Sequence, residues 1–418
     1  MSNVTIKPSG LCGTVKIPPS KSDVHRAIIC AALAKGVSTV SPVAFSEDIS
    51  ATIDCIKALG AEVSVDGDKV TINSTKIFEN KTADFQCRES GSTVRFFIPV
   101  AAAGGVNGTF NGKGRLPQRP LGVYTDLLPK HGVECITSGG LPFEIKGQLA
   151  SGKFDVPGDI SSQFITGLLF ALPLLDGDSV IHLTSPLQSK GYIDMTISVQ
   201  KQFGVEINVD GEDYIIKGNQ KYKPCDYITE GDWSQAAFFL VGGAIGGNVT
   251  VEGVKKDSCQ GDKEIVELLK RFGADVEQGD YSVRCKAGNL RAIDIDASQI
   301  PDLVPILAVC ASFAEGTTRI YNAERVRLKE SDRLAAISDC LNGCGGNVAE
   351  TEDGLLIKGA ESIRGGFAEG YNDHRIVMSM AIAALRSESE IVISDKESIT
   401  KSYTNFFDDY KALKGVDR

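Results

Sequence analysis

The chain has 418 residues, enough for two or three domains at roughly 150 residues each. Its 42% apolar, 23% charged and 7% aromatic content is that of a globular protein with a large core and excludes disorder as a main theme. With 44 Lys and Arg against 54 Asp and Glu the formal charge is −10, which excludes a protein that coats a nucleic-acid backbone; an anionic ligand must be gripped by a local cluster of cations.

The N-terminus, MSNVTIKPSGLCGTVKIPPSK, has neither a secretory apolar core nor transit-peptide composition, and no apolar run reaches the length of a membrane span. The eleven cysteines are scattered without a C-x-x-C pair, and His25, His131, His182 and His374 are dispersed. This reads as reduced thiols in a cytoplasmic protein with no metal site and no membrane partner.

From the N-terminus onward one pattern recurs: an amphipathic run ending in Gly, then a strand, a turn and another strand. It first reads IKALGAEVSVDGDKVTI at Gly60 and returns at Gly132, Gly204, Gly273 and Gly345, each 69–72 residues after the last; a shorter copy, YKALKGV, reaches Gly415. Apolar helix-like runs ending at Gly36, Gly105, Gly177, Gly247 and Gly316 keep the same beat. Gly just past a helix suits the left-handed closing position, and D-G pairs between alternating segments suit hairpins. Each unit therefore reads strand, helix, strand, helix and two strands, and six units fill the chain. The expected fold class is α/β, with two pseudo-threefold domains, each of three βαβαββ units with buried helices. The sixth unit lacks its hairpin, whereas VTIKPSGLCGTVKI has strand character and no preceding helix, so the N-terminal strands are expected to complete the sixth unit. Residues 1–18 with 230–418 would then form one discontinuous domain and residues 19–229 a continuous one, joined by a two-stranded hinge with the active site in the cleft between them.

The first helix of every unit opens on small polar or charged residues: SKSDVHR (20–26), ESGSTVR (89–95), DISSQF (159–164), EGDWSQ (230–235), IPDL (300–303) and YNDHR (371–375). Apolar runs follow, so these helices are buried with polar N-termini, and such termini attract anions. Ser, Asp and Asn at these positions also serve as plain N-caps. Capping does not account for the cations beside them, Lys21, Arg26, Arg95, Lys329, Arg333 and Arg375, which need a ligand or several structural ion pairs.

These residues carry a resemblance. IPPSKSDVHRAIICAALA resembles the P-x-S-K-S-x-x-x-R signature of the 5-enolpyruvylshikimate-3-phosphate synthase family. RLKESDRL (327–334) and YNDHRIVMSMAIAAL resemble its R-x-K-E-x-D-R and N-D-H-R segments. QRPL (118–121), SSQF (161–164), SKGYIDMT (189–196), IPDL and TKSY (400–403) follow in the family's order, so the resemblance covers the whole chain. It implies the enolpyruvyl transferase-like inside-out fold of six βαβαββ units. It also implies transfer of the enolpyruvyl group of phosphoenolpyruvate to the 5-hydroxyl of shikimate 3-phosphate without a cofactor, by a monomer that is the target of glyphosate. Both substrates are polyanions, as a cation cluster in an acidic chain requires.

Position by position, the resemblance implies that Lys21, Ser22 and Arg26 hold shikimate 3-phosphate, with Lys21 also reaching phosphoenolpyruvate. Ser161, Ser162 and Ser189 add hydroxyl contacts to the shikimate phosphate, and Gln163 lies between the substrates. Asp302 receives the 5-hydroxyl proton, assisted by Lys329, and Glu330 exchanges a proton with the methylene carbon. Arg119, Arg333, Arg375 and Lys401 bind phosphoenolpyruvate, with the Gly91 backbone approaching closely. Arg95 is structural support. The bland alternatives make Glu330 and Asp332 first-turn acids, Asp302 a helix opener and Arg375 the ion-pair partner of Asp373. Glu89-Ser90-Gly91-Ser92 stands where the family often has N-A-G-T, Phe96 replaces a common Pro, and Arg325 stands where Asn is frequent. Two rival readings are a UDP-N-acetylglucosamine enolpyruvyl transferase, whose catalytic loop Cys has no counterpart in NGKGRLPQRPLG, and a non-enzymatic anion- or RNA-end-binding repeat protein.

Overall fold

A computed structural model describes residues 2–413, and Gly415 of the last repeat lies outside the described residues. The chain forms two compact units: Pro19–Thr229, and the chain up to Pro18 together with that from Glu230 onward.

Pro19–Thr229 carries three four-stranded sheets of one design. Thr82–Gln86 pairs in parallel with Asn107–Asn111, followed by Phe143–Gly147 and then Val133–Thr137, both antiparallel. Lys153–Val156, Ser179–Leu183, Asp213–Ile216 and Ile207–Asp210 repeat the order, as do Asp226–Ile228, Val37–Ser41, Lys69–Asn73 and Glu62–Asp66. A parallel neighbour needs a crossover, and here it is the buried helix: Gly91–Ala103 links Thr82–Gln86 to Asn107–Asn111. The first sheet of the unit borrows its opening strand from the far end, because Asp226–Ile228 stands beside Val37–Ser41.

The other unit has two such sheets, Cys12–Lys16 with Asn248–Glu252, Ser282–Lys286 and Asp275–Gln278, and Asp294–Asp296 with Thr317–Tyr321, Leu355–Lys358 and Val348–Glu350. Its third sheet has three strands, Gly366–Ala368, Ile391–Ile393 and Val4–Ile6. This corrects the expectation that all the N-terminal strand character completes the sixth repeat. Val4–Ile6 pairs there, but Cys12–Lys16 supplies the missing parallel strand of the fourth repeat, matched Cys12 to Asn248 through Lys16 to Glu252. The fourth repeat begins at a helix, as the first does, so each needs an opening strand from elsewhere in its own unit.

Each unit has its own core, centred on the first helices of its repeats. Every residue of Val304–Ala311 is buried, and Trp233–Gly246 is buried from Trp233 to Ile245. Each fully buried Val, Leu or Ile contributes roughly 1.5–3 kcal/mol, so a helix apolar on all sides is stable only inside a core. The second helices instead bury one stripe: Ile265–Phe272 buries Ile265, Val266, Leu268, Leu269 and Phe272 and leaves Glu267, Lys270 and Arg271 outside. Gly132 and Gly273 end their helical segments in the left-handed conformation, at φ 84° and 101°. Among the described residues no helix is long and apolar enough to cross a membrane.

Candidate functional site

Five of the six buried helices start on a side-chain cap: Ser20, Ser90, Ser161, Asp232 and Asp373 each accept from a backbone N–H two or three residues on. The sixth starts differently, through the 3₁₀ turn Pro301–Leu303 that carries Asp302. Capping is thus real at these positions, and the fate of the cations beside the caps decides what else they do.

In Pro19–Thr229 the helix Lys21–Leu33 brings Lys21, Ser22 and Arg26 onto one turn. Lys21 Nζ lies 2.9 Å from Asp48 Oδ2. Arg26 donates from Nε to Thr196 Oγ1 (2.8 Å), from Nη1 to the Ser22 carbonyl (2.7 Å) and from Nη2 to the Tyr192 carbonyl (2.9 Å). Its guanidinium lies 5.5 Å from the Phe96 ring centre and 5.8 Å from that of Tyr192. No carboxylate among the described residues comes within ion-pair distance of it, and burial pushes its pKa down to about 10. Arg26 therefore joins this helix to Lys190–Gln202 and carries a charge with no direct counter-ion. Ser189, just before that second helix, is buried at φ 57°, a conformation that a residue with a Cβ adopts at a cost of order 1–3 kcal/mol. Ser161 caps its helix through Gln163 N (3.3 Å), and Ser162 is buried beside it.

Gly91 and Arg119 meet closely. A Cβ on Gly91 would stand 2.4 Å from Arg119 Nη1, so only glycine allows the guanidinium against the helix start. Arg119 is 9% exposed, its Nε has no hydrogen-bond partner, and no carboxylate among the described residues pairs with it. Burying a charge without a partner is unfavourable, which sets Arg119 apart from the paired arginines. Nearby, Arg95 Nη1 donates to Gln163 Oε1 (2.6 Å), and Gln163 Nε2 donates to Ser92 Oγ (2.9 Å). Arg95, read from the sequence as support, is the residue that sets the Gln163 amide.

In the other unit Arg333, on the helix Arg333–Gly343, is the centre of a carboxylate cluster. Its Nε donates to Asp373 Oδ2 (2.8 Å), Nη1 to Asp302 Oδ1 (2.9 Å) and Nη2 to Glu330 Oε2 (2.6 Å). Burial works against its charge, but Asp373, then Glu330 and Asp302, outweigh burial and raise its pKa. Burial likewise pushes the Asp373 carboxyl up, and Arg333 more than reverses that, leaving it lowered. Lys329 Nζ lies 3.6 Å from Asp302 Oδ1, and Arg375 Nη2 lies 3.5 Å from Asp302 Oδ2 and 3.0 Å from Ser234 Oγ. Lys401 Nζ donates to the Asn372 carbonyl (2.7 Å). Asp302, Lys329, Glu330, Arg333 and Arg375 thus share one cluster, with Lys401 tied to the turn that precedes Arg375.

Two alternatives from the sequence are corrected here. The ion-pair partner of Asp373 is Arg333 rather than Arg375, whose guanidinium turns to Asp302. Glu330 is no first-turn acid, since Asp332 is the cap, accepting from Ala335 N (3.1 Å), and Glu330 precedes it. Arg325, which stands where the family often has Asn, donates to the Ser298 carbonyl (2.8 Å).

Sequence reasoning passed over Asp48, which holds Lys21, and Asp262, a buried acid whose pKa burial and then the Asp302 charge push up to about 7. Asp48 had a signal, the Ser46-Glu47-Asp48 start of the second helix in the same repeat. Asp262 had none, lying on a 3₁₀ turn far from any motif.

Comparison with known proteins gives a consistent result. Residues 6–410 match the family model described as EPSP synthase (3-phosphoshikimate 1-carboxyvinyltransferase). The 3-phosphoshikimate 1-carboxyvinyltransferase of Clostridium novyi is 46% identical over all of this chain and 98% of its own length. That of Clostridium kluyveri is 47% identical over 99% of this chain and 98% of its own. A solved EPSP synthase from Acinetobacter baumannii superposes with a TM-score of 0.84 at 26% identity, covering 99% of this chain and 98% of that one.

Proposed function

We propose residue roles from one premise: the chain belongs to the EPSP synthase (3-phosphoshikimate 1-carboxyvinyltransferase) family. It is a transferase that moves the enolpyruvyl group of phosphoenolpyruvate onto the 5-hydroxyl of shikimate 3-phosphate and releases phosphate, a step of the shikimate pathway. The relatives' names and the missing loop cysteine leave no support for the UDP-N-acetylglucosamine reading.

The observation that carries the role assignment is Arg119: buried, unpaired and pressed against Gly91, it is a cation waiting for an anion. Phosphoenolpyruvate supplies one, and a Gly91 without Cβ lets it approach the helix start, whose N–H groups add to the attraction. Lys21 reaches phosphoenolpyruvate and, with Ser22, Arg26, Ser161, Ser162 and Ser189, grips shikimate 3-phosphate; Gln163, set by Arg95, lies between the two. Charge-assisted bonds of this kind contribute roughly 1.5–3 kcal/mol each.

The other unit supplies the proton chemistry. The 5-hydroxyl oxygen attacks the central carbon of phosphoenolpyruvate, its proton passing to Asp302, while Glu330 delivers a proton to the methylene carbon. The tetrahedral adduct then expels phosphate, which leaves with the proton that Asp302 took from the hydroxyl, and the methyl group returns a proton to Glu330, so the transferred group regains its double bond. Lys329 and Arg375 both stand beside Asp302, so two cations face the carboxylate that accepts the proton. Arg333 holds both carboxylates in place, and Arg375 and Lys401 add positive charge for the substrate phosphate or carboxylate. Pro19–Thr229 therefore supplies most of the binding groups, and the other unit supplies the proton transfer together with Arg375 and Lys401. The working molecule is read as a cytoplasmic monomer.

The test is phosphate release from phosphoenolpyruvate plus shikimate 3-phosphate. Stoichiometric release that requires both substrates is expected; none with both present would overturn the reading.

A further inference from the structure

Behind the Gly91 helix start runs a set of buried groups that no step above uses. His25 Nδ1 lies 2.6 Å from Thr52 Oγ1, Thr52 Oγ1 lies 2.9 Å from Thr93 Oγ1, and the Thr93 hydroxyl donates to Ser90 Oγ (2.8 Å). Ser90 Oγ also accepts from Thr93 N (3.3 Å). The four residues come from three helices and the cap of one of them, and all are buried.

A hydroxyl has one proton, which fixes the direction of the whole chain. Thr93 gives its proton to Ser90, so between Thr52 and Thr93 the donor must be Thr52. Thr52 has then no proton left for His25, and His25 must donate from Nδ1. The imidazole is neutral, since burial first, then Lys21 and Arg26, hold its pKa well below the ordinary value. A neutral ring protonated at Nδ1 has a bare Nε2, and Nε2 is indeed buried without a partner. At the other end both lone pairs of Ser90 Oγ are filled and its own proton is uncommitted, on the residue preceding Gly91. The opposite tautomer would reverse every bond and turn the Ser90 proton inward to Thr93.

We propose that His25, held as its Nδ1–H tautomer, is a positioning residue for the enolpyruvyl donor: through Thr52 and Thr93 it fixes the Ser90 cap and leaves the Ser90 proton beside Gly91, where phosphoenolpyruvate binds. The binding part rests on the roles given above for Gly91 and Arg119; the tautomer does not. His25 sits one turn into the helix of Lys21 and Ser22, so the chain also links the two substrate-binding helix starts. Lys21 has Asp48, and Arg26 has Thr196 and Tyr192, as hydrogen-bond partners, so the effect of the chain is expected at the Ser90–Gly91 end.

Two measurements test this on the full-length protein. Long-range proton–nitrogen NMR, with the His25 signals identified by their loss in His25→Asn, should show Nδ1 protonated and Nε2 bare from pH 6 to pH 8. An Nε2-protonated or cationic ring overturns the proposal. In kinetics, Thr52→Val keeps the shape and removes the relay. It should raise the KM for phosphoenolpyruvate about tenfold while the dissociation constant of shikimate 3-phosphate alone stays within about twofold, and Thr52→Ser should restore the wild-type KM. Unchanged KM, or equal weakening of both substrates, overturns the positioning role. Should Thr52→Val not fold, His25→Asn, whose amide places a donor near the Nδ1 position, is expected to keep the KM and His25→Gln to raise it; equal behaviour of the pair overturns the role. A wild-type enzyme that releases no phosphate would instead refute the function, with the NMR result standing apart.

Discussion

Arg119 and Arg333 are both buried guanidinium groups in motifs that the resemblance ties to phosphoenolpyruvate, yet their surroundings are opposite. Arg333 meets three carboxylates at 2.6–2.9 Å; among the described residues Arg119 meets none and leaves Nε without a partner. A buried charge that is fully paired belongs to the architecture, since removing it leaves its partners uncompensated. A buried charge with no partner is unfavourable in the free protein and is repaid only by a ligand. In the proposed roles both arginines face phosphoenolpyruvate, but Arg333 would in addition hold the proton-transfer carboxylates in register, whereas Arg119 would have substrate as its one counter-charge.

The comparison can be broken in three places, from the largest effect down. Glu330→Gln keeps an acceptor for Arg333 but cannot carry a proton, so kcat should fall by about 10²–10⁴-fold with shikimate 3-phosphate binding and urea stability retained. Steady-state kinetics and equilibrium binding decide it, and full turnover would make Glu330 only a counter-ion. Arg333→Gln exposes Asp373, Asp302 and Glu330 to one another, and the urea midpoint should drop by an amount equivalent to about 3–5 kcal/mol. Arg119→Gln should leave the urea midpoint within about 0.5 kcal/mol of wild type or above it, while the KM for phosphoenolpyruvate rises about 10–100-fold. A stability loss at Arg119 as large as that at Arg333 would erase the distinction.

The same contrast marks what could be read in the sequence. The repeat was legible because a left-handed helix end needs glycine, and Gly132 and Gly273 stand in that conformation. The buried helices were legible because a run such as VPILAVCA has no polar face to offer water. The strand Cys12–Lys16 was misplaced because a five-residue segment carries no mark of which sheet it joins, a choice made by the gap beside Asn248–Glu252. At the site, residue types were visible but not their partners. Arg333 stands out beside a helix start and Arg119 only through QRPL in the family resemblance, and only the fold shows that Asp373 and Asp302 close on one while Gly91 makes room for the other. Thr52 and Thr93, half of the buried relay, look like ordinary helix residues in sequence.

The smallest expected effect concerns a further buried acid whose charge meets that of Asp302. Asp262 is buried on the turn Gly261–Glu264, and burial, then the Asp302 charge, raise its pKa from the ordinary 3.8 to about 7, although Arg375 and Lys329 pull the other way. A carboxyl whose folded pKa lies above its unfolded one favours the folded state while it keeps its proton. Its full contribution is present below about pH 4, and it is lost as pH rises through 7. Asp373 has the opposite sign: its lowered pKa means stability present above the unfolded value and lost on acidification. Asp262→Asn has no proton to lose. Its unfolding free energy relative to wild type should therefore climb between about pH 4 and pH 7 and level off above, measured by urea titration at several pH values. If Arg375 and Lys329 instead held Asp262 ionised, as three donors hold Asp373 (Arg333, Ser331 and the Arg375 amide), the difference would not vary over that range, and the pKa of Asp262 would not be raised by burial and Asp302.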